Sequence, residues 1–213
     1  MHPKEDGSPD AVGIAFTETV LAGLPSKKPT NGMGGYEYTP WLPKEAATSP
    51  FDSVAVEWDP EGHVPAPIYT VPHFDFHFYM MKTAKCIKID NTGKDLALCQ
   101  KKPAPEFMPK NYMYAPQREI KYMGSHWVDV NTPKLHGKPF TYTFIYGSYN
   151  GKVAFIEPMV TMEYLRSKPN LTADIPQPAM YDAPGMLFPT KYHVSYDAAR
   201  REYKVVLSDL IKR

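Results

Sequence analysis

Cysteine is scarce in this chain: its 213 residues include two, Cys86 and Cys99. Their spacing fits neither a CxxC zinc motif nor a CxxC redox motif, which excludes a cysteine-built metal knuckle or dithiol active site. A disulfide between them and a pair of reduced structural thiols both stay open, the disulfide requiring an oxidising compartment. Net charge is nearly absent too, at +1 from 24 Lys and Arg against 23 Asp and Glu. With the signs interspersed there is no basic footprint for nucleic acid or an anionic membrane surface, and Lys27-Lys28 and Arg200-Arg201 read as solvated loop charges. No apolar run approaches the roughly 18 residues of a membrane span, so the chain reads as soluble. The start, MHPKEDGSPD, lacks the basic and apolar regions of a secretory leader. GxSxG, a glycine-rich phosphate loop and HExxH are all missing, which removes the motif-defined hydrolases, nucleotide binders and zincins. The GMGG run at 32–35 follows no strand and reads as a turn, and Asn170-Leu171-Thr172 is a chance-level glycosylation triplet.

Proline and tyrosine, by contrast, are abundant, at 23 and 15 residues. Proline removes a backbone donor and tyrosine suits a half-buried pleated surface, so long helices are disfavoured and strands with ordered turns favoured. The expected fold is mainly β, α+β at most: one domain over 1–213, an antiparallel barrel or sandwich with a few short helices, a cupin-like barrel being one form of it.

Ala11 to Phe16 reads as a strand, with Thr17 capping a short helix through Leu24 and a loop following from Ser26 to Gly35. Val54 to Trp58 alternates as a strand and runs into DPEGHVPAP, which carries His63. Tyr69 to Met81 is the strongest strand signal, because Phe74, Phe76 and Phe78 alternate with His73, Asp75, His77 and Tyr79. AKCIKI is expected to form a further strand, closed by the turn Asp90 to Gly93, and Lys101 to Tyr122 an irregular lid or contact arm. TYTFIYGSY, Asn150-Gly151 and KVAFIEPM make a hairpin, since both turn residues tolerate positive φ. Glu157 is expected on its far end, on one face with Phe155 and Val153. MVTMEYLRSK predicts a brief helix and HVSYDAARREYKVVL a closing hairpin.

The chemistry concentrates on PHFDFHFY. Residues two apart on a strand lie roughly 6.6 Å apart on one face, so His73 with Asp75, or Asp75 with His77, can converge on one ion. His73 and His77 are about 13 Å apart, near the limit that two imidazoles bridge. His126, in MGSHWVD, is the expected third ligand, with Gly124 allowing close backbone approach and Trp127 walling the site. His73, Asp75 and His126 form an HxD…H set, the pattern of non-haem Fe(II) centres. Its spacing resembles that of 2-oxoglutarate oxygenases, although Lys134 and Lys138 are the nearest substitutes for that family's cosubstrate-binding cation. His73, His77 and His126 with Glu157 form an alternative set resembling that of cupins, but with HxDxH where cupins carry HxH. A three-histidine zinc site oriented by Asp75 or Glu157 is a third option. Asp75 and Glu157 are thus the candidate catalytic carboxylates, and the ion a divalent transition metal: zinc first, then iron, copper or manganese. A buried hydrogen-bonded network and a solvated face are the competing readings, and taken singly His63, His136 and His193 read as structural histidines.

The runs VEWDPEGHVPAPIYTVPHFDFHFYM, MGSHWVD and FTYTFIYGSYNGKVAFIEPMVTMEYL, flanked by AVGIAFTETVLAGLP, YHVSYD and LSDL, resemble one family over nearly the whole chain. It is the bacterial domain family of unknown function typified by a ring-forming Thermus protein under sigma-E and anti-sigma-E control. The resemblance implies a β-rich fold, a closed homo-oligomeric ring, frequent export to the periplasm or exterior, and a further edge strand before Ala11. It places His63, His73, His77 and His126 among the signature histidines, alongside Asp75 and Glu157. Two functions follow as expectations: a metal-dependent enzyme on a small molecule (oxygenase, hydrolase or lyase), or a stress-induced structural or ligand-binding ring.

Overall fold

The computed structural model of the chain describes residues 9–30 and 34–213. Asn31 to Met33, in the expected Ser26 to Gly35 loop, and most of MHPKEDGSPD lie outside the described residues. The strands of the first half are β1 (Ala11–Thr17), β2 (Tyr36–Tyr38), β3 (Ser53–Asp59) and β4 (His73–Tyr79). Two helices follow, α1 (Thr83–Cys86) and α2 (Gly93–Gln100), then β5 (Tyr112–Ile120), β6 (Gly124–Asp129), β7 (Tyr142–Tyr149) and β8 (Lys152–Thr161). The chain ends with α3 (Met162–Arg166), β9 (Asn170–Asp174), β10 (Leu187–Phe188), β11 (Lys191–Asp197), β12 (Glu202–Ser208) and β13 (Ile211–Lys212). The fold is therefore mainly β with antiparallel sheets and short helices, as the composition predicts.

Seven strands form one sheet in the order β2-β3-β4-β8-β7-β6-β5, and four form a second in the order β1-β12-β11-β9. The first sheet is open, with β2 and β5 at its ends, so the architecture is sandwich-like and not the closed barrel also envisaged. Strand β4 lies inside this sheet, between β3 and β8. Its Phe74, Phe76 and Phe78 join one apolar cluster with Val12, Val194, Tyr203, Val205 and Leu207 of the second sheet. Phe16 stacks on Phe76 and on Tyr203, centroids 6.3 and 5.6 Å apart. Burying each such ring is worth about 1.5–3 kcal/mol, which makes the phenylalanine face the adhesive of the sandwich. The alternation then forces His73, Asp75 and His77 to the opposite face.

The hairpin of β7 and β8 has its predicted turn, with Asn150 at φ 49° and Gly151 at φ 77°. Its register shifts between Gly147 and Ser148. Val153 consequently packs with the inter-sheet core while Phe155 belongs to the other face, so the expected common face of Val153, Phe155 and Glu157 does not exist. Gly147 is required here: a Cβ would meet the Phe155 ring at 2.0 Å.

AKCIKI is helix α1 and a turn, not a strand. Cys86 and Ile89 are buried while Ile87 is exposed, a spacing of three that suits a helical turn. The Asp52 carboxylate accepts from the Thr83 amide at 3.0 Å and from its hydroxyl at 3.2 Å, satisfying the helix start from a distant segment. Lys101 to Tyr122 contains the edge strand β5, interrupted by a register shift between Tyr114 and Glu119. Thr17 precedes a 3-10 turn over Glu18–Ala22 without capping it, its hydroxyl meeting that of Thr19 instead. Cys86 and Cys99 are free, buried thiols. No helix among the described residues is long and apolar enough to cross a membrane.

Candidate metal centre

The ionisable face of the seven-stranded sheet lines a cavity of about 470 Å³. Pairing of β3 with β4 sets Asp59 opposite His73, Glu57 opposite Asp75 and Ala55 opposite His77. Alternation of VAVEWD turns Glu57 and Asp59 the same way as the histidines, while Val54 and Trp58 join the core. On the other flank, Ile145 of β7 faces Glu157 of β8, and β6 follows with His126. The β3–β4 connection brings in His63, and the interrupted part of β5 contributes Ala115 and Arg118 to the cavity wall.

These residues form two groups of potential metal donors, each with donor atoms within 4.8 Å of one another. One is His77, His126 and Glu157, and the other is Asp59, His63, His73 and Asp75. The strand-length argument is borne out, since His73 and His77 fall in different groups. The structure therefore does not bring together the expected His73–Asp75–His126 set, and it removes His73 from the four-residue alternative with His77, His126 and Glu157. Trp127 points into the inter-sheet core, its indole N–H donating to Ser148 Oγ at 2.8 Å, so it does not wall the site. Gly124 does permit close approach, since a Cβ there would stand 2.4 Å from the Ser148 carbonyl.

In the first group, His77 Nε2 lies 3.5 Å from Glu157 Oε1, and His126 Nε2 lies 3.9 Å from Glu157 Oε2. In the second, His63 Nε2 is 3.3 Å from Asp75 Oδ2 and His73 Nε2 is 3.4 Å from Asp75 Oδ1. A charge-assisted hydrogen bond between such groups closes to about 2.7–2.9 Å. Donors on one tetrahedral ion, at metal distances of about 2.0–2.1 Å, stand about 3.3–3.4 Å apart. Three of the four observed spacings, at 3.3, 3.4 and 3.5 Å, are close to the second kind, and the His126–Glu157 spacing of 3.9 Å is longer than either. His77 Nδ1, Glu157 Oε2, His73 Nε2, Asp75 Oδ1 and both Asp59 oxygens are buried with no hydrogen-bond partner, although buried polar groups are normally satisfied.

Three of the rings are also oriented from behind. The Nδ1 atoms of His63, His73 and His126 lie 2.7, 2.6 and 3.0 Å from the carbonyls of Val64, Val71 and Arg118. A ring N–H given to a carbonyl fixes the tautomer that leaves Nε2 as a lone pair, as metal-bound histidines require. Phe155 holds two rings from the side, its centroid 5.2 Å from that of His77 and 5.2 Å from that of His126.

Burial pushes His77 down to about 4 and His126 down to about 3, so both imidazoles are neutral, the ligating form. Glu157 is pushed well above the carboxylate range, first by burial and then by the charges of Asp75 and Glu57. Burial also works to raise Asp75, but the flanking His73 and His63 outweigh it and hold that carboxyl well below its usual value. His73 is opposed by burial and raised to about 9 by Asp75, so in the metal-free chain its Nε2 carries a proton as well, and an ion would have to displace it. Acidic side chains outnumber Arg and Lys around the cavity, with Glu37, Glu57, Asp59, Asp75 and Glu157 against Arg118 and Lys121. Burial raises Glu57 to about 8 and Asp59 to about 6, so with Glu157 three of the five acids are pushed toward their protonated forms.

Sequence reasoning missed Asp59, Glu57 and Arg118. Asp59 and Glu57 were legible, because VEWD and HFD are consecutive alternating strands whose acids share a face once paired. Arg118 had no signal, being placed by the irregularity in β5. It donates to the Val64 carbonyl, the oxygen that also receives the His63 Nδ1–H. Lys134, a suggested cosubstrate anchor, is instead buried on Thr132 and Thr143 at 3.1 and 2.5 Å. Of the singly considered histidines, His193 is bonded to Thr172 and Ser208 and His136 to the Val130 carbonyl, both structural roles.

No protein-family profile matches the chain, and no curated protein or solved structure does either. Fold and site together define a mainly β protein with buried His, Asp and Glu groupings able to bind a metal ion.

Proposed function

We propose that the chain is a metal-dependent enzyme acting on a small organic molecule, with a divalent transition ion held by His77, His126 and Glu157. The observation that carries this is the His77–His126–Glu157 group itself: three buried donors that line one cavity, with Glu157 Oε2 lacking any hydrogen-bond partner. Three protein ligands leave a position open, as catalytic sites do, and such an ion supplies Lewis-acid or water-activating chemistry. Ile68, Met123, Val128, Ile145 and Met159 give the cavity an apolar wall for the body of a substrate, and Arg118 offers a charge for an anionic end.

Elemental analysis of the purified chain, before and after reconstitution with zinc, iron or manganese, tests this reading. The expected result is about one equivalent or more per chain, falling by about one in His126→Ala. Less than about a tenth of an equivalent in every preparation would sink it.

Assembly into a homo-oligomeric ring, which the family resemblance implies, is favoured by one observation. Tyr38, on the edge strand β2, is 71% exposed and nearby Trp41 is 90% exposed. An edge strand with bare aromatics invites pairing with another chain. Light scattering on Trp41→Ser checks this: a lower mass than the unsubstituted protein supports the ring, and an unchanged mass counts against this surface.

A further inference from the structure

We propose that Asp59, His63, His73 and Asp75 form a second, separate metal site, a closed four-ligand site that pins the His63 loop into the wall of the cavity. The donor set is two imidazoles and two carboxylates with ligand atoms within 4.8 Å of one another. Three of the four residues are almost wholly buried: Asp59 is 1% exposed, His73 0% and Asp75 3%. Independently of that clustering, both Asp59 oxygens have no hydrogen-bond partner, and His73 Nε2 and Asp75 Oδ1 face each other at 3.4 Å without closing to a normal hydrogen-bond length. An acid cluster that served only as a hydrogen-bonded network would close these contacts.

The two groups differ in what an ion would do in them. Four protein ligands complete a tetrahedral shell and define a structural site, whereas three leave a reactive position. Charge points the same way. Two carboxylates cancel a divalent ion in the Asp59 group, which suits a dry, permanent site. One carboxylate in the Glu157 group leaves a unit of positive charge to polarise a bound molecule.

The four ligands come from three segments, and this specifies the structural consequence. Asp59 ends β3, His73 and Asp75 begin β4, and His63 belongs to the connection between them. That connection is otherwise held near His63 by its amide bond to the Tyr69 carbonyl at 3.0 Å and by Arg118 on the Val64 carbonyl. His63 is the partly exposed member, its ring centroid 4.8 Å from that of His73. An ion would tie the loop to the sheet at this point and, because Val64, Pro65 and Ile68 line the cavity, fix that part of its wall.

The test is metal stoichiometry on the full chain, stripped with chelator and reloaded with zinc alone, in three forms: unsubstituted, Asp59→Asn/His73→Gln, and His126→Ala. The proposal expects about two equivalents, then about one, then about one. The remaining equivalent in each variant shows that the fold has survived. It also expects Asp59→Asn/His73→Gln to make the chain cleavable between residues 60 and 72 under limited proteolysis, with His126→Ala unchanged there. One equivalent in the unsubstituted chain, retained in Asp59→Asn/His73→Gln and lost in His126→Ala, overturns the second site and leaves the first. One equivalent lost in Asp59→Asn/His73→Gln and retained in His126→Ala supports the second site and overturns the first. No zinc in any form overturns both.

Discussion

The two faces of strand β4, three phenylalanines on one and His73, Asp75, His77 and Tyr79 on the other, are stabilised in opposite ways. Phe74, Phe76 and Phe78 meet a second sheet of matching apolar residues, so that face is complete in the folded chain alone. His73, Asp75 and His77 are just as deeply buried, yet several of their polar atoms, and those of Asp59 and Glu157 beside them, have no partner. Apolar burial is favourable by itself, whereas a buried charge or polar atom needs a compensating group. The phenylalanine face explains why the protein folds, and the histidine face leaves buried polar groups that could hold a metal ion.

The largest effect expected is on the apolar face. Phe76→Ala should cost about 3–5 kcal/mol in urea denaturation, while any variant that stays folded keeps its metal content. Loss of metal at unchanged stability would contradict the division of labour. On the polar face, His126→Ala should weaken metal binding by more than about 100-fold in a competition titration, since even outer-shell changes cost about 10–100-fold. The melting temperature of its metal-free form should stay within a few degrees of the unsubstituted apoprotein.

Gly147→Ala sharpens the comparison because it strikes the support and not the ligands. The added methyl drives into the Phe155 ring that packs against His77 and His126. A loss of about 1–3 kcal/mol is expected from overpacking, together with weaker metal binding. Stability falling with metal affinity intact would mean that Phe155 does not position the rings.

The smallest effect lies on the second sheet, at an ion pair that belongs to neither face. Glu18 accepts from the Tyr196 hydroxyl and pairs with Arg201, and these contacts hold its carboxyl below the usual range. A depressed folded value stabilises above the unfolded one and is lost as the group takes a proton, so the contribution is present at neutral pH and disappears on acidification. Glu18→Gln should therefore melt slightly below the unsubstituted chain at pH 7, with the two curves converging below about pH 4. A gap that persists in acid would trace the loss to packing instead.

Much of this was legible in the residues. Strict alternation over HFDFHFY sets the two faces of β4, Asn150-Gly151 marks the central hairpin, and strand rise alone separates His73 from His77. What escaped depends on non-local geometry. The partnership of Asp59 with His73 comes from strand pairing, the position of Arg118 from an irregular edge strand, and the loss of the His73–Asp75–His126 set from register, which across the two strands between β4 and β6 brings His126 level with the His77 end of β4 and not the His73 end. AKCIKI misleads because a short apolar run has no decisive period, and a remote carboxylate, Asp52, settles it as a helix.

The most direct test of the central claim is anomalous scattering from a crystal of the reconstituted chain, recorded on both sides of the zinc edge. The account predicts a peak enclosed by His77 Nε2, Glu157 and His126 Nε2, at about 2.0–2.1 Å from the two nitrogens. A crystal from zinc-containing solution with no peak there, and with the imidazoles and Glu157 drawn into direct hydrogen bonds, would contradict it.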